Sequence, residues 1–226
     1  MQNNKYLNYS EWKNWNNFFT LTIQLKLLYS KQFKGFIFKN KSFLDIGFGD
    51  GSLLRWAKDQ GALISGIEVQ ENLIANAKEK KIKTYKTIDD VPENSIDIVT
   101  MLDVLEHLTK AEISEYLTRI YKKTRKGGKI FIRIPNCQSP AGIALQFGDH
   151  THVTMLSGQY LQAYLIEAGW TKIHFKGAIY VSPSFIIRLL SYLLKPLSLL
   201  FFLIYRFSFQ QKGTVLEANL FISAEK

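Results

Sequence analysis

The first residues that suggest chemistry lie in the segment "FLDIGFGDGSLL", Phe43 to Leu54. Three glycines, Gly47, Gly49 and Gly51, alternate with other residues just after an acid, Asp45. Glycine has no Cβ atom, so such a loop turns tightly and lets a ligand approach the backbone. A helix is predicted directly afterwards, and the N–H groups of its first turn suit a phosphate or a carboxylate. The pattern therefore predicts a ligand-binding loop.

A second acid, Glu68, stands at the end of the next predicted strand. A carboxylate in this position can accept hydrogen bonds from both hydroxyls of a ribose, which predicts a nucleoside ligand. The dinucleotide fingerprint G-x-G-x-x-G would need glycine at Ser52. The spacing found is instead D-x-G-x-G-x-G, so the loop departs from the dinucleotide pattern.

This motif resembles the first motif of the class I S-adenosylmethionine-dependent methyltransferases. The resemblance extends from about Ser42 to Trp170 and includes Glu68, the segment "VPENSIDIVTMLDVLEHL" and the segment "RKGGKIFIRIPN". It implies S-adenosylmethionine as the cofactor. It also implies that Asp45 and the three loop glycines line the methionyl portion, that Glu68 binds the ribose, and that Leu102 lies near the methyl group.

Four histidines are candidates for removing a proton from an acceptor hydroxyl, because the ordinary histidine pKa lies near 6.5. His107 directly follows the fourth predicted strand, and His174 lies within a later strand, where a structural role is expected. His150 and His152 lie with Asp149 in a long polar segment after the fifth strand. This segment is too long for a simple connection, which favours a functional loop.

The segment "DHTH" resembles the D-x-T-H segment of methyltransferases encoded with bacterial surface-polysaccharide genes, with Asp149, Thr151 and His152 in matching places. The resemblance suggests a glycan acceptor. We expect His152 to act as the general base with Asp149 orienting it and His150 beside them, and we expect no metal. Two alternatives stay open, a metal site formed by Asp149, His150 and His152, and a purely structural loop.

Short apolar segments alternate with amphipathic ones along the chain, which predicts parallel strands joined by helices. We expect an α/β fold of the Rossmann-like, doubly wound type. It would have a mostly parallel seven-stranded sheet with an antiparallel last strand, in three α/β/α layers. Residues 1–40 would form an N-terminal helical cap and residues 41–226 the methyltransferase domain. One helix is predicted from Lys110 to Gly128, because cations and a glycine pair favour helix ends.

An apolar segment, Phe185–Phe207, lies between the last two predicted strands. It belongs to an insertion at residues 183–210. Its 23 residues match a bilayer span in length, but it contains Arg188, Lys195 and Arg206. On a single helix these cations and two serines fall within an arc of about 80°, which is typical of a helix lying in a membrane interface. Pro196 predicts a division into two helices.

In the topology of the family that the chain resembles, the strand before this insertion runs parallel to the others and ends at the active-site edge of the sheet. The resemblance therefore implies that the insertion leaves the domain beside the cofactor. This predicts docking to an anionic membrane surface and a lipid-linked acceptor. The alternatives are that the apolar residues cover the domain's own core or form the interface of a homodimer.

The bulk composition agrees with an anionic partner, because the net charge is +10 and the pI is about 9.5. The alternative is that the lysines only decorate a solvated face. The single cysteine, Cys137, and the lack of an apolar leader near Met1 predict a cytoplasmic protein. The apolar segment adds the expectation that this protein is peripheral at the inner face of the plasma membrane. No Asn-Pro-Pro-aromatic segment follows the fourth strand, which argues against nucleic acid as the substrate.

The sequence therefore predicts an S-adenosylmethionine-dependent O-methyltransferase that acts on a glycan or a lipid-linked sugar at the membrane surface. Two alternatives remain. One is methylation of a polyprenyl-quinone precursor, and the other is a non-catalytic subunit that binds the cofactor and docks a partner through the apolar segment.

Overall fold

A seven-stranded sheet organises the chain, which the computed structural model describes at residues 13, 15, 17–180, 182, 184–208 and 215–226, without the side chains of residues 185 and 188. The strands are β1 Ser42–Ile46, β2 Leu63–Ile67, β3 Lys83–Tyr85, β4 Ile96–Leu102, β5 Thr124–Pro135, β6 Thr171–Gly177 and β7 Asn219–Glu225. Their spatial order is β3-β2-β1-β4-β5-β7-β6. Only the pairs that include β7 are antiparallel, which confirms the predicted topology.

Helices cover both faces of this sheet. They are α1 Ile23–Gln32, α2 Ser52–Asp59, α3 Glu71–Glu79, α4 Lys110–Lys123, α5 Pro140–Phe147, α6 Gly158–Glu167, α7 Phe185–Leu193 and α8 Lys195–Ser208. Successive strand residues point to opposite faces, so Phe43 packs with α1, α2 and α3 while Leu44 packs with α4 and α6. The two faces give the predicted three layers. Most of the predicted N-terminal cap before residue 17 lies outside the described residues.

The end of α4 differs from the prediction. The helix stops at Lys123, and Thr124 already has extended backbone angles, so the segment from Thr124 to Gly128 belongs to β5. The glycine pair is held by the last residue of the chain. Gly127 N–H donates to the Lys226 carbonyl at 2.9 Å, and Lys226 N–H donates to the Gly128 carbonyl at 2.9 Å. The predicted end of the helix at Gly128 is therefore wrong, because the residues from Thr124 onward pair as a strand.

The apolar insertion forms two helices, α7 and α8, with a break at Leu194. Pro196 lies in the first turn of α8, where its missing N–H costs no helical hydrogen bond. The predicted division is confirmed, and the cations and serines of the predicted single-helix stripe are shared between two helices. No described side chain of α8 is buried, so the alternative in which this helix covers the domain's own core is wrong.

We call α7 and α8 together the apolar hairpin. Its described large apolar side chains are all about half exposed or more, except for Phe202 and Tyr205. Within the described residues, no helix combines the length and the apolar character needed to cross a bilayer. The chain enters the hairpin from the end of β6, where Gly177 is the register partner of Leu220 on β7. Just beyond β6, Ile179 N–H donates to Gln32 Oε1 on α1 at 2.7 Å.

Candidate active site

The glycine loop lies between β1 and α2, at the carboxyl edge of the sheet. Gly47, Gly49 and Gly51 have φ angles of 71°, 53° and 75°, a region that favours glycine. A Cβ atom on Gly47 would lie 2.6 Å from Val104 Cγ2, and one on Gly51 would lie 2.2 Å from Phe19 Cε1. Backbone conformation and close packing therefore both require glycine at these two positions.

Glu68 connects the end of β2 to this loop. Its Oε2 accepts a hydrogen bond from Gly49 N–H at 3.0 Å, and its Oε1 accepts from Val69 N–H at 2.7 Å and Gln70 N–H at 3.2 Å. Burial raises the pKa of Glu68, and these three donors oppose that rise. A carboxylate offers about four acceptor positions, so one remains for a ligand hydroxyl in this arrangement.

Asp45 is buried at the carboxyl end of β1, and its Oδ1 accepts a hydrogen bond from Thr100 Oγ1 at 2.6 Å. Burial raises the pKa of Asp45 to about 7, although the Thr100 hydrogen bond lowers it; the charge of Glu68 adds to the rise. The charge of this carboxyl group therefore changes in the neutral range, where a cationic ligand would favour the ionised form.

These residues border one cavity of about 570 Å³, a size typical of small-molecule sites. Asp45, Gly47, Gly49, Glu68 and Leu102 all line it, so the structure brings together five of the six predicted cofactor residues. Gly51 is the exception. Its N–H donates to the Phe48 carbonyl at 2.9 Å, and it shapes the loop from behind the cavity wall.

Several cavity residues were missed at the level of sequence. Arg133 of β5 and Asp103 after β4 form an ion pair in which Arg133 Nε donates to Asp103 Oδ1 at 2.8 Å. The charge of Asp103 raises the pKa of Arg133 against the opposing effect of burial. Arg133 is the one charged residue in the apolar segment "IFIRIP", which was an available signal. Tyr29 of α1 also lines the cavity, and burial raises its pKa to about 12.

The predicted catalytic residues do not line the cavity. Asp149 is buried, His150 is exposed, and His152 lies beside Asp149 with 3.8 Å between His152 Nε2 and Asp149 Oδ2. This distance is too long for a hydrogen bond. Lys13 Nζ lies 3.1 Å from Asp149 Oδ2 and partly neutralises its charge. The structure therefore brings Asp149 and His152 together, and leaves His150 at the surface.

Asp149 instead reaches His107 through Thr151. Asp149 Oδ1 accepts hydrogen bonds from Thr151 N–H at 2.9 Å and from Thr151 Oγ1 at 2.5 Å. Thr151 Oγ1 lies 3.0 Å from His107 Nδ1, and His107 does line the cavity. A chain of carboxylate, hydroxyl and imidazole thus leads from the buried acid to the cavity wall.

Glu106, which sequence reasoning also missed, completes this neighbourhood. It is 1% exposed, and burial raises its pKa well above the usual range, with the charge of Asp103 adding to the rise. The rings of His107 and His152 meet edge to face with centroids 4.8 Å apart, and His152 Nε2 lies 3.9 Å from Glu106 Oε1. We call Glu106, His107, Asp149 and His152 the polar cluster.

A Rossmann-like sheet with a glycine loop after β1 and a buried carboxylate after β2 defines a nucleoside-binding α/β enzyme. The family model described as "Methyltransferase domain" matches residues 23–174, which is more than half of the chain. The chain therefore belongs to this methyltransferase family. The prediction of an S-adenosylmethionine-dependent methyltransferase is confirmed at this level.

Individual relatives agree with this class. A ubiquinone biosynthesis O-methyltransferase of Hydrogenovibrio crunogenus is 24% identical over 166 residues, which are 64% of this chain and 67% of that protein. One of Pseudomonas entomophila is 28% identical over 127 residues, 51% of this chain and 53% of that protein. The matches thus span about half to two thirds of these relatives. The crystal structure of an S-adenosylmethionine-dependent methyltransferase from Archaeoglobus fulgidus has a TM-score of 0.63 at 21% identity, covering 88% of this chain and 90% of that one, and supports the fold.

Proposed function

We propose that this methyltransferase acts on a hydroxyl group of a membrane-associated acceptor. One observation carries the proposal. The cavity formed by the glycine loop and Glu68 also contains His107, which belongs to the polar cluster. The site for the methyl donor and the groups that can accept a proton therefore meet at one wall.

The residues present fit S-adenosylmethionine, because the loop leaves no room for side chains and Glu68 keeps an acceptor position for a ribose hydroxyl. When bound, this cofactor supplies an electrophilic methyl group on a sulfonium sulfur. The residues proposed to hold it are Asp45, Gly47, Gly49 and Gly51 at the methionyl portion, Glu68 at the ribose and Leu102 near the methyl group. Binding of the second ribose hydroxyl by Glu68 would replace its contact with Gly49 N–H.

The polar cluster is proposed to remove the acceptor proton. A methyl transfer of this kind needs an aligned nucleophile and, for a hydroxyl acceptor, a group that takes its proton. His107 is the member of the cluster that reaches the cavity, and Asp149 orients it through Thr151. This assignment modifies the predicted pair of His152 and Asp149, in which His152 has no place in the cavity wall.

The apolar hairpin is proposed to dock the enzyme to a membrane. Described residues on both sides of the hairpin make hydrogen bonds at the active-site edge. On the entry side, Gln32 binds Ile179, and Tyr29 of the same helix lines the cavity. On the exit side, Ser139 Oγ donates to the Leu216 carbonyl at 2.6 Å, and Ser139 begins the segment that leads to Asp149. An acceptor in the lipid surface would thus lie close to the cavity.

Two acceptor classes fit this arrangement. The names of the relatives favour a phenolic hydroxyl on a polyprenyl-quinone precursor. The second candidate is the hydroxyl of a lipid-linked sugar. It is favoured by the likeness of Asp149, Thr151 and His152 to the D-x-T-H segment of methyltransferases encoded with bacterial surface-polysaccharide genes. Both acceptors carry a long apolar chain that matches a membrane-bound hairpin.

Radiolabelled S-adenosylmethionine tests the proposal directly. The full-length chain is incubated with vesicles that contain either a polyprenylated catechol or a lipid-linked sugar fraction, and the labelled product is identified by mass spectrometry. We expect label in one of the two lipids. Binding of the cofactor without transfer to either lipid would contradict the proposed acceptor, and lack of cofactor binding by folded protein would contradict the proposed site.

A further inference from the structure

The side chain of Glu106 is the polar group in the described part of the chain that the fold explains least. It is 1% exposed, and neither carboxylate oxygen has a hydrogen-bond partner among the described residues. A buried carboxylate normally has donors or a bound cation, because removal from water without compensation is costly. The Arg133 guanidinium, the nearby cation, is instead paired with Asp103.

Two imidazoles face this carboxylate. The ligand atoms of Glu106, His107 and His152 all lie within 4.8 Å of one another. Between His152 Nε2 and Glu106 Oε1 the distance is 3.9 Å, which is too long for a hydrogen bond. A metal held at about 2.1 Å from each ligand atom would place those atoms about 3.4 Å apart. Small rotations of the side chains would therefore complete a site.

The surroundings orient both rings as metal ligands require. His152 Nδ1 lies 3.0 Å from the Gln146 carbonyl oxygen, and His107 Nδ1 lies 3.2 Å from the Thr151 carbonyl oxygen. A proton on each Nδ1 that is donated to these carbonyls leaves the lone pair on Nε2. Metal-binding histidines almost always donate their other ring N–H to a carbonyl or a carboxylate in this way.

We infer that Glu106, His107 and His152 bind a divalent transition-metal ion. Two imidazole nitrogens and one carboxylate favour Zn²⁺, Mn²⁺ or a related ion over Mg²⁺ or Ca²⁺, which prefer all-oxygen sites. This ligand set differs from Asp149, His150 and His152, the alternative that the sequence suggested, because His150 is exposed. Asp149 would instead support His107 through Thr151.

The consequence for catalysis rests on the proposed function. His107 lines the cavity, so an open coordination position would face the acceptor. A hydroxyl bound to a divalent cation loses its proton at lower pH than a free one. The metal-bound hydroxyl would lose its proton to solvent water, and His107 would then act as a metal ligand in place of the general base proposed above.

Metal binding is tested without acceptor or cofactor, so its result is independent of the proposed function. The full-length protein is treated with a chelator, and Zn²⁺, Mn²⁺ and Co²⁺ are titrated by calorimetry while the melting temperature is followed. We expect one equivalent per chain, stabilisation on binding, and visible Co²⁺ absorption bands of a nitrogen–oxygen site.

Glu106→Gln keeps the shape of the side chain and removes the ligand charge, and His152→Gln removes a ligand nitrogen. Each is expected to weaken binding at least tenfold. His150→Gln is the matched control from the same segment and is expected to bind as the unaltered chain does. If none of the three ions binds, or if Glu106→Gln and His152→Gln both bind as tightly as the His150→Gln control, the inference is overturned.

Discussion

Asp45 lines the cavity and changes its charge with pH in the neutral range, since burial raises its pKa to about 7. The ammonium group of the cofactor favours the ionised carboxylate, so below pH 7 binding must expel a proton. We expect the dissociation constant for S-adenosylhomocysteine to fall about tenfold per pH unit from pH 5 to 7 and then to level off. Calorimetry across this range measures the slope.

The same shift has a consequence for stability. The folded protein holds the proton of Asp45 more tightly than the unfolded chain does, so this proton stabilises the fold at low pH. The stabilisation is lost as the pH rises through about 7. Asp45→Asn is therefore expected to melt above the unaltered chain at pH 8, with a difference that shrinks toward pH 4. It should also bind the ligand weakly at every pH. A dissociation constant that does not vary between pH 5 and 7 would contradict the role of Asp45.

Gly127, which lies on β5, is a matched control for a substitution at Gly51 in the glycine loop. Their φ angles are 75° and 74°, but an added Cβ meets Phe19 at Gly51 and nothing within 4 Å at Gly127. Gly127→Ala pays only the backbone strain, about 1–2 kcal/mol. Gly51→Ala is expected to lose about 1–3 kcal/mol more through overpacking, and to bind the cofactor more weakly. Chemical denaturation and calorimetry check both, and equal losses would contradict the packing argument.

His107 is the member of the polar cluster to change first for activity. His107→Gln is expected to lower turnover by about 10²- to 10⁴-fold, because it removes the group that reaches the acceptor, with cofactor affinity retained. His174→Gln, an exposed position on β6, is the control and should turn over normally. Normal turnover of His107→Gln in the radiolabel assay would contradict the proposed role of His107 in activating the acceptor.

At this scale the sequence predicts the residues that belong to local motifs. Asp45, the glycines and Glu68 follow one another along a strand, a turn, a helix and the end of the next parallel strand, so the order of these elements places them at one edge of the sheet. Glu106 and its grouping with the candidate histidines escape such reasoning, because the contact between Glu106 and His152 joins residues far apart in sequence. Only the packing of the segment after β5 against the end of β4 creates it.

At the scale of elements, the end of α4 shows where sequence patterns fail. Lysines followed by two glycines are typical of a helix end, yet these residues continue into β5. Their partner is Lys226, the last residue of the sequence, whose backbone pairs with Gly127 and Gly128. A contact between such distant segments leaves no local signal.

The apolar hairpin exposes many large apolar side chains, which is typical of a surface that binds a partner or a membrane. Leu197 on α8 is 63% exposed. Leu63, the first residue of β2, lies at the end of the strands away from the cavity and is 68% exposed. Leu197→Asp is expected to weaken binding to phosphatidylglycerol vesicles about tenfold or more, because it removes a leucine that docking would bury in the lipid and adds an anion. Leu63→Asp should bind as the unaltered chain does, and both should fold normally.

Vesicle flotation measures this difference. Equal flotation of the Leu197→Asp and Leu63→Asp proteins would contradict docking through the hairpin. A concentration-dependent dimer of the unaltered chain in the absence of lipid, broken by Leu197→Asp alone, would instead identify the homodimer interface.

At the scale of the whole molecule, the net charge of +10 would add a long-range attraction for an anionic membrane to the proposed apolar contact of the hairpin. Residues 183–210 contain cations and no acid. We expect the fraction bound to phosphatidylglycerol vesicles to fall as NaCl rises from about 0.05 to 0.5 M, because the screening length shrinks below about 10 Å. Phosphatidylcholine vesicles are the control. Equal, salt-independent binding to both lipids would show that charge plays no part.

The overall architecture follows from the sequence more completely than the site does. Alternating strand and helix patterns leave few topologies, since parallel strands need crossovers of one hand. The three layers and the antiparallel β7 were therefore predictable. The position of the hairpin relative to the cavity depends on side-chain contacts such as that of Gln32 with Ile179, which composition does not encode.

The register of Gly177 with Leu220 gives the hairpin a modular character. Its two connections leave from adjacent strands, so a short turn in its place would join β6 to β7 without altering the sheet. In the proposed function, catalysis and membrane docking would thus be carried by separable lengths of chain. On this proposal, one catalytic domain could acquire, exchange or lose its membrane-docking segment by changing a single connection.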